Sequence, residues 1–410
     1  MTDMESDRIS CLPDHIIDQI LSRLPIKDAG RTSVLSSEWR KKWSTQSNLV
    51  FDRQCVSAAS SEDPSVIKIK FSRIIDHVLL HHSGPINKVK ISDFGCGIID
   101  MNYVADIDLW ILHLNKRSIK KLVLDFCFEQ RYKIPWCLFS CQSLLHLKLC
   151  WCSLKLPMTF EGFRNLKSLK LDQVKMAQDV FENLISGSPL LEKLILSDFA
   201  GFTQINIRAP NIKFVKIDGK FEGISFDNTP QLAKVSVHLS LQPNSKTNQS
   251  RLHGCSSNLV NFFGQLPNIH SLTVSSYFMK YLLADVVPVK LPTPCINLTS
   301  LSIYVNFNDL KEISVVLCLL KSSPNLKALE IFGCPKEEHS DSYCLEDISS
   351  EPVMFLKLRR VKILDISGTK SEIDFIKFIL LYSPSAEFNP CPELLHAFMF
   401  RIQLIQFYFG

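Results

Sequence analysis

Charge of one sign is scarce in this chain: 46 Lys and Arg stand against 41 Asp and Glu, a formal net of +5 over 410 residues. An excess spread that thinly does not suggest a nucleic-acid binder, whose domains gather Lys and Arg on one face. Long apolar runs are missing too. Stretches such as ISVVLCLL from Ile313 fall far short of the ~20 residues a membrane helix needs, so no membrane span is expected. The polar, acidic opening MTDMESDR holds no apolar segment of the kind a secretory signal requires. The 14 cysteines are scattered and, without an export signal, read as reduced thiols of a cytoplasmic or nuclear protein. Gly-rich phosphate loops, nucleophile elbows and paired metal-binding histidines are absent, and no cofactor is expected. Apolar residues are what the chain has, 46% against 21% charged. That balance suits an ordered protein of two or more domains, or one elongated repeat domain with an appendage.

A six-residue pattern recurs: apolar, two variable, apolar, one variable, apolar. It reads INKVKI at Ile86, IKKLVL at Ile119, LLHLKL at Leu144, LKSLKL at Leu166 and LEKLIL at Leu191. It continues as IKFVKI at Ile212, LAKVSV at Leu232, IHSLTV at Ile269, LTSLSI at Leu298, LKALEI at Leu326 and LRRVKI at Leu358. Through the middle of the chain the period is roughly 20 to 25 residues, within the range of leucine-rich repeats. The last two apolar positions lie two apart and face one side of a strand, a side that a single copy cannot bury. Stacking solves this: parallel strands share a core and the returning segments run outside a curved solenoid. MAQDVFENLISGSPLL and LKEISVVLCLLKSSPNL read as such returns, helices ended before SP, and SPLL, TPQL, LPNI and SPNL mark the turns into new strands.

The residues between the buried pair face outward and supply a lysine-leaning ribbon: Lys90, Lys148, Lys170 and Lys216, joined at the preceding outward position by Lys121 and Lys193. This ribbon is the candidate substrate face and suits an acidic or phosphorylated segment, although Asp125, Asp172 and Asp218 would partly neutralise it. Cys137, Cys141, His146, Cys150 and Cys152 crowd one stretch without paired C-x-x-C knuckles, so a buried structural role is favoured over zinc. Cys127, Cys152 and Cys334 fall where the longer repeat form places a small buried group. The HHS at His81–Ser83 is expected to be solvated. An active-site cysteine hydrolase is the enzyme alternative, but nothing local marks one thiol as special.

One segment stands outside the repeats: LPDHIIDQILSRLPIKDAGRTSVLSSEWRKKW, Leu12 to Trp43. Ile16, Ile17, Ile20, Leu21 and Leu24 form a helical stripe between Pro13 and Pro25. A second helix is expected over Lys27–Leu35, and a third, capped by Ser36, carries Trp39 and Trp43 on one side. So small a bundle is short of partners for its apolar surface, which either caps the first repeat or meets another polypeptide.

The run DRISCLPDHIIDQILSRLPIKDAGRTSVLSSEWRKKW resembles the plant F-box, with its D-R-I-S-x-L-P-D opening and W-R-x-x-W close. The repeats, together with LRRVKILDISGTKSEIDFIKFILLYSPSAEF, resemble plant F-box/FBD/leucine-rich-repeat proteins. The resemblance implies an α/β chain: a three-helix F-box at 8–50, a linker and leading helix at 51–84, a leucine-rich-repeat solenoid with a curved parallel sheet at 85–354, and an FBD-like region at 355–410. It implies a non-catalytic substrate receptor of an SCF-type ubiquitin ligase, docking a Skp-type adaptor and through it a cullin. The matching F-box positions are Leu12, Pro13, Ile16, Ile20, Leu21, Leu24, Pro25, Val34, Leu35, Trp39 and Trp43; the sequence does not divide adaptor contacts from local core. The alternative is a repeat-binding protein with a degraded F-box. Gly30 keeps it open, standing where the family has a branched apolar residue, and Ser37-Glu38 replaces a basic pair. At the other end, alternating Phe398, Phe400, Ile402 and Leu404 suggest a one-sided strand.

Overall fold

Within each of two units, the repeated pattern pairs in parallel, strand after strand in register, as the two-apart apolar spacing requires. The structure, a computed structural model, describes residues 12–56, 63–92, 104–126, 130–240, 258–282, 287–333, 355–384 and 386–390. It divides into two units, Met1–Pro210 and Asn211–Gly410.

In the first unit the parallel ladder is β1 (Asn48–Phe51), β2 (Lys88–Ser92), β3 (Lys121–Asp125), β4 (His146–Cys150), β5 (Ser168–Asp172) and β6 (Lys193–Ser197). Leu122, Leu124, Leu147, Leu149, Leu169, Leu171, Leu194 and Leu196 all face inward and are buried. Three short helices precede the ladder: α1 (Asp14–Arg23), α2 (Ile26–Arg31) and α3 (Ser37–Ser44). The 18-residue α4 (Pro64–His81) leads into β2. Asp63 caps α4 by accepting from the Ser65 N–H at 2.8 Å, and Pro64 occupies the first turn, where its missing N–H costs nothing. Next comes α5 (Val104–Lys116), which buries Ile107, Trp110, Ile111 and Leu114, one face at helical spacing. Trp110 Nε1 donates to Asp76 at 2.7 Å and ties α5 to α4. The return at Gln178–Ser186, α6, ends at Gly187.

The second unit repeats the plan with β7 (Phe214–Gly219), β8 (Lys234–Leu239), β9 (Ser271–Val274), β10 (Ser300–Val305), β11 (Ala328–Gly333), β12 (Arg360–Leu364) and β13 (Glu387–Pro390), again parallel. Its helices are α7 (Asn258–Gly264), α8 (Ser276–Leu282), α9 (Leu310–Ser322) and α10 (Lys370–Tyr382). A reciprocal cap starts α10: Thr369 Oγ accepts from the Glu372 N–H, and the Glu372 carboxylate accepts from the Thr369 N–H.

The proline turns have a common geometry. Leu191, Leu232, Ile269 and Leu326 each donate an N–H to the carbonyl three residues back, on Ser188, Thr229, Leu266 and Ser323. Proline sits second in each, where its fixed φ favours the turn. At the far end of the strands, Trp151, Gln173 and Asp198 adopt left-handed φ of 51°, 54° and 47° directly after β4, β5 and β6. The strained backbone is held by the next repeat, since Trp151 N–H donates to Asp172 O and Gln173 N–H to Ser197 O.

Three expectations change. The sheet begins one strand early, at β1, because Gln46 stands where later copies carry their first apolar residue. The second helix stops at Arg31, and a 3₁₀ turn covers Thr32–Val34. His82 is buried rather than solvated. Cys127, Cys334, Phe398, Phe400, Ile402 and Leu404 lie outside the described residues.

Candidate functional site: two exposed surfaces

The three N-terminal helices close a small core of their own. Ile17, Leu21, Ala29 and Trp39 are fully buried together, with Leu12, Leu24 and Trp43 packed against them. Ser36 starts α3 by accepting from the Trp39 N–H at 3.4 Å, and Lys42 on α3 meets Asp14 on α1 at 3.0 Å. Trp43 stacks against His77 of α4, ring centroids 6.5 Å apart. Gln46 Nε2 donates to Leu21 O at 3.0 Å, while the buried His82 donates from Nε2 to Gln46 O at 2.9 Å. Burial lowers the His82 pKa, the Gln46 bond opposing it, so the ring stays neutral.

This packing divides residues that the sequence left together. Leu21 and Trp39 are 1% and 2% exposed and serve the local core, so they offer no surface to a partner. Leu12, Ile16, Leu24, Pro25 and Trp43 are half-buried, and Pro13 is exposed as the N-cap of α1. Ile20, Val34 and Leu35 remain 37%, 83% and 51% exposed. Large apolar side chains that their own small core leaves in water mark a surface suited to docking. Gly30 is not a hole in that core: a Cβ built there meets nothing within 4 Å.

The second surface is the outward side of the strands. Register sets Lys88, Lys121, His146, Ser168 and Lys193 in one row across β2–β6, and Lys90, Val123, Lys148, Lys170 and Ile195 in the next. The rows differ in charge balance. Lys148 pairs with Asp125 at 2.5 Å and Lys170 with Asp172 at 3.8 Å, so the second row is partly neutralised within the molecule. Burial pushes the Asp125 carboxyl up, but the Lys148 and Cys150 hydrogen bonds and the Lys148 charge outweigh it and hold it below its usual value. The first row contains no acid. There Lys88 is lowered by burial and then by Lys121 and Lys90; His146 is lowered by burial and then by Lys121 and Lys167, with Glu192 opposing. Lys121 and Lys193 are exposed, and Lys216 sits separately in the second unit, in a row with Ser236, Thr273, Ser302, Glu330 and Lys362.

Thiol chemistry finds no support among the described cysteines. Burial raises the pKa of Cys137, Cys141 and Cys152, and pushes Cys55, Cys295 and Cys318 up to about 11 and Cys150 to about 12. A nucleophile needs the opposite shift. No group of three or more His, Cys, Asp or Glu among the described residues is placed to hold a metal ion.

Residues 9–51 match the F-box domain model, and residues 107–331 match the model described as FBD-associated F-box protein At5g56370, LRR repeats. The chain is 41% identical over 386 residues to the F-box/FBD/LRR-repeat protein At1g13570 of Arabidopsis thaliana, covering 93% of this chain and 90% of that one. It is 28% identical over 362 residues to F-box/FBD/LRR-repeat protein At3g52680 of the same plant, covering 82% and 74%.

Proposed function

Because the chain belongs to the F-box/FBD/leucine-rich-repeat family, we propose that it is the substrate-receptor subunit of an SCF-type cullin-RING ubiquitin ligase, acting in the cytoplasm or nucleus. The F-box docks a Skp-type adaptor, and through it a cullin. The repeats hold a protein target, acidic or phosphorylated, on the lysine row of β2–β6. The chain supplies proximity rather than bond-making groups: a held target lysine reacts as if in a unimolecular step.

The observation that carries this reading is the pair Val34 and Leu35, 83% and 51% exposed beside a core that closes without them. Large apolar side chains left in water beside a closed core suit burial against a partner. Gly30, the feature in favour of a degraded F-box, loses that weight because a side chain there would enter open space rather than the core.

The test is retention of the purified chain on an immobilised Skp-type adaptor. The unmodified chain is retained and Val34→Glu/Leu35→Glu is not; failure of the unmodified chain sinks the adaptor role. Phosphorylated proteins bound to the repeats are expected to be lost on Lys121→Glu/Lys193→Glu, and their retention refutes the assignment of the row.

A further inference from the structure

The basic row of β2–β6 is not uniform along its length. Lys88, Lys121 and His146 stand directly opposite one another on three adjacent strands, β2, β3 and β4, so their Cα atoms step across the sheet by about 4.8 Å each. Uncharged Ser168 comes next on β5, and Lys193 on β6 lies three strands from Lys121, about 14 Å away. The row therefore divides into a cluster of three basic side chains and a separate lysine. Lys121 and His146 are exposed and Lys88 is half-buried, so the cluster opens to solvent.

Carboxylates are held away from this cluster. Asp125 and Asp172 lie at the far ends of β3 and β5, about 13 Å along the strands from the row, where Lys148 and Lys170 pair with them. Glu192, which acts on His146, also meets Lys167 at 4.0 Å. The cluster feels its own charge as well. Burial lowers the Lys88 pKa and Lys121 and Lys90 lower it further; burial likewise lowers His146, with Lys121 and Lys167 adding to it. An anion placed among these groups relieves that repulsion. A phosphoryl group suits the arrangement: it carries close to two negative charges and three acceptor oxygens, one for a donor from each strand. A carboxylate offers one charge and two oxygens.

We propose that Lys88, Lys121 and His146 form a subsite for a single phosphoryl group on the bound target, with Lys193 outside it. The subsite rests on the reading of this row as the target face and does not depend on adaptor docking. His146 faces Lys121 on β3, Ser168 on β5 and, beside the strands, Lys167 and Glu192. A bound dianion offsets the two lysine charges and favours the protonated ring. Binding therefore takes up a proton and tightens as the pH falls from about 7.5 to about 6.5. Fluorescence anisotropy of the full-length chain with a labelled pentapeptide, phosphoserine flanked by alanines, tests the subsite against the glutamate counterpart. The phosphopeptide binds at least tenfold more tightly than the glutamate peptide. Lys88→Gln and Lys121→Gln each weaken it at least fivefold, Lys193→Gln leaves it within twofold, and His146→Gln removes the tightening at lower pH. These outward-facing variants keep the melting temperature of the unmodified chain. Equal binding of the two peptides, an equal loss in Lys193→Gln and Lys121→Gln, or a wild-type affinity that is flat with pH overturns the proposal. Inorganic phosphate competing as strongly as the unlabelled phosphopeptide also overturns it, assigning the site to free phosphate. Failure of these tests in a chain still retained on a Skp-type adaptor rejects the subsite alone; phosphopeptide binding in a chain the adaptor does not retain rejects the ligase role and leaves the subsite standing.

Discussion

Replacing Glu312 by glutamine removes a pH dependence that the second unit builds into its own stability. Glu312, in the first turn of α9, is 0% exposed. Ser276 Oγ donates to its carboxyl at 2.9 Å, the Asn306 N–H donates at 2.8 Å, and the Lys280 ammonium stands 3.8 Å away. Burial dominates these favourable contacts and lifts the carboxyl from 4.5 to about 7. Between those values the folded chain holds a proton that the unfolded chain has released, so this carboxyl's contribution is full at and below about pH 4.5, falls as the pH rises through about 7, and levels off above it. A shift of that size corresponds to roughly 3 kcal/mol at 1.36 kcal/mol per unit. Glutamine keeps the shape and offers both an acceptor for the Asn306 N–H and a donor for Ser276. Denaturant unfolding of both chains at a series of pH values reads the effect, and subtraction removes groups common to both. The wild-type minus Glu312→Gln stability should decline by about 3 kcal/mol from pH 4.5 to 7 and stay flat to pH 8. A difference that is constant over this window, or that grows with pH, refutes the reasoning.

Trp39→Ala should cost about 3–5 kcal/mol in thermal or urea unfolding, as expected for a buried aromatic, whereas Val34→Glu/Leu35→Glu should stay within about 0.5 kcal/mol while abolishing adaptor retention. Gly30→Ala should raise stability by about 0.5–1 kcal/mol, since its helical backbone suits alanine and the Cβ meets no atom; a measured loss would contradict the open space at this position. Gln173→Gly should be neutral or stabilising by up to about 1 kcal/mol at its left-handed φ, and Gln173→Ile should be destabilising, both read by chemical denaturation.

The repeat strands were legible because their buried faces recur at fixed spacing, and the α1 and α3 boundaries because Pro13, Pro25 and Ser36 punctuate them. β1 was not legible. Gln46 fills its first apolar slot and uses its amide to bond Leu21 O, a long-range role that no periodicity carries. His82 was hidden for a related reason. The chain at Gly84 runs so close to Thr45 that a Cβ would sit 2.8 Å from its Cα, and His82, two residues earlier, is buried with its ring bonded to Gln46 O although a polar HHS run suggests solvation. The candidate docking residues were only half legible. Ile17, Ile20 and Leu21 are equally apolar on one helix, and only the packing of α3 decides that Ile17 and Leu21 turn inward while Ile20 remains in water.

Gln46 has a mechanical consequence. Its side chain grips the last turn of α1 and its carbonyl is held by His82, while the neighbouring Ser47 carbonyl receives two N–H groups from the chain entering β2. The N-terminal helices and the opening strands are thus fastened at two adjacent residues, Gln46 and Ser47, without an intervening tether. Lengthening the chain at this joint would re-aim the strands of the first unit against α1–α3 while leaving the exposed faces of each intact.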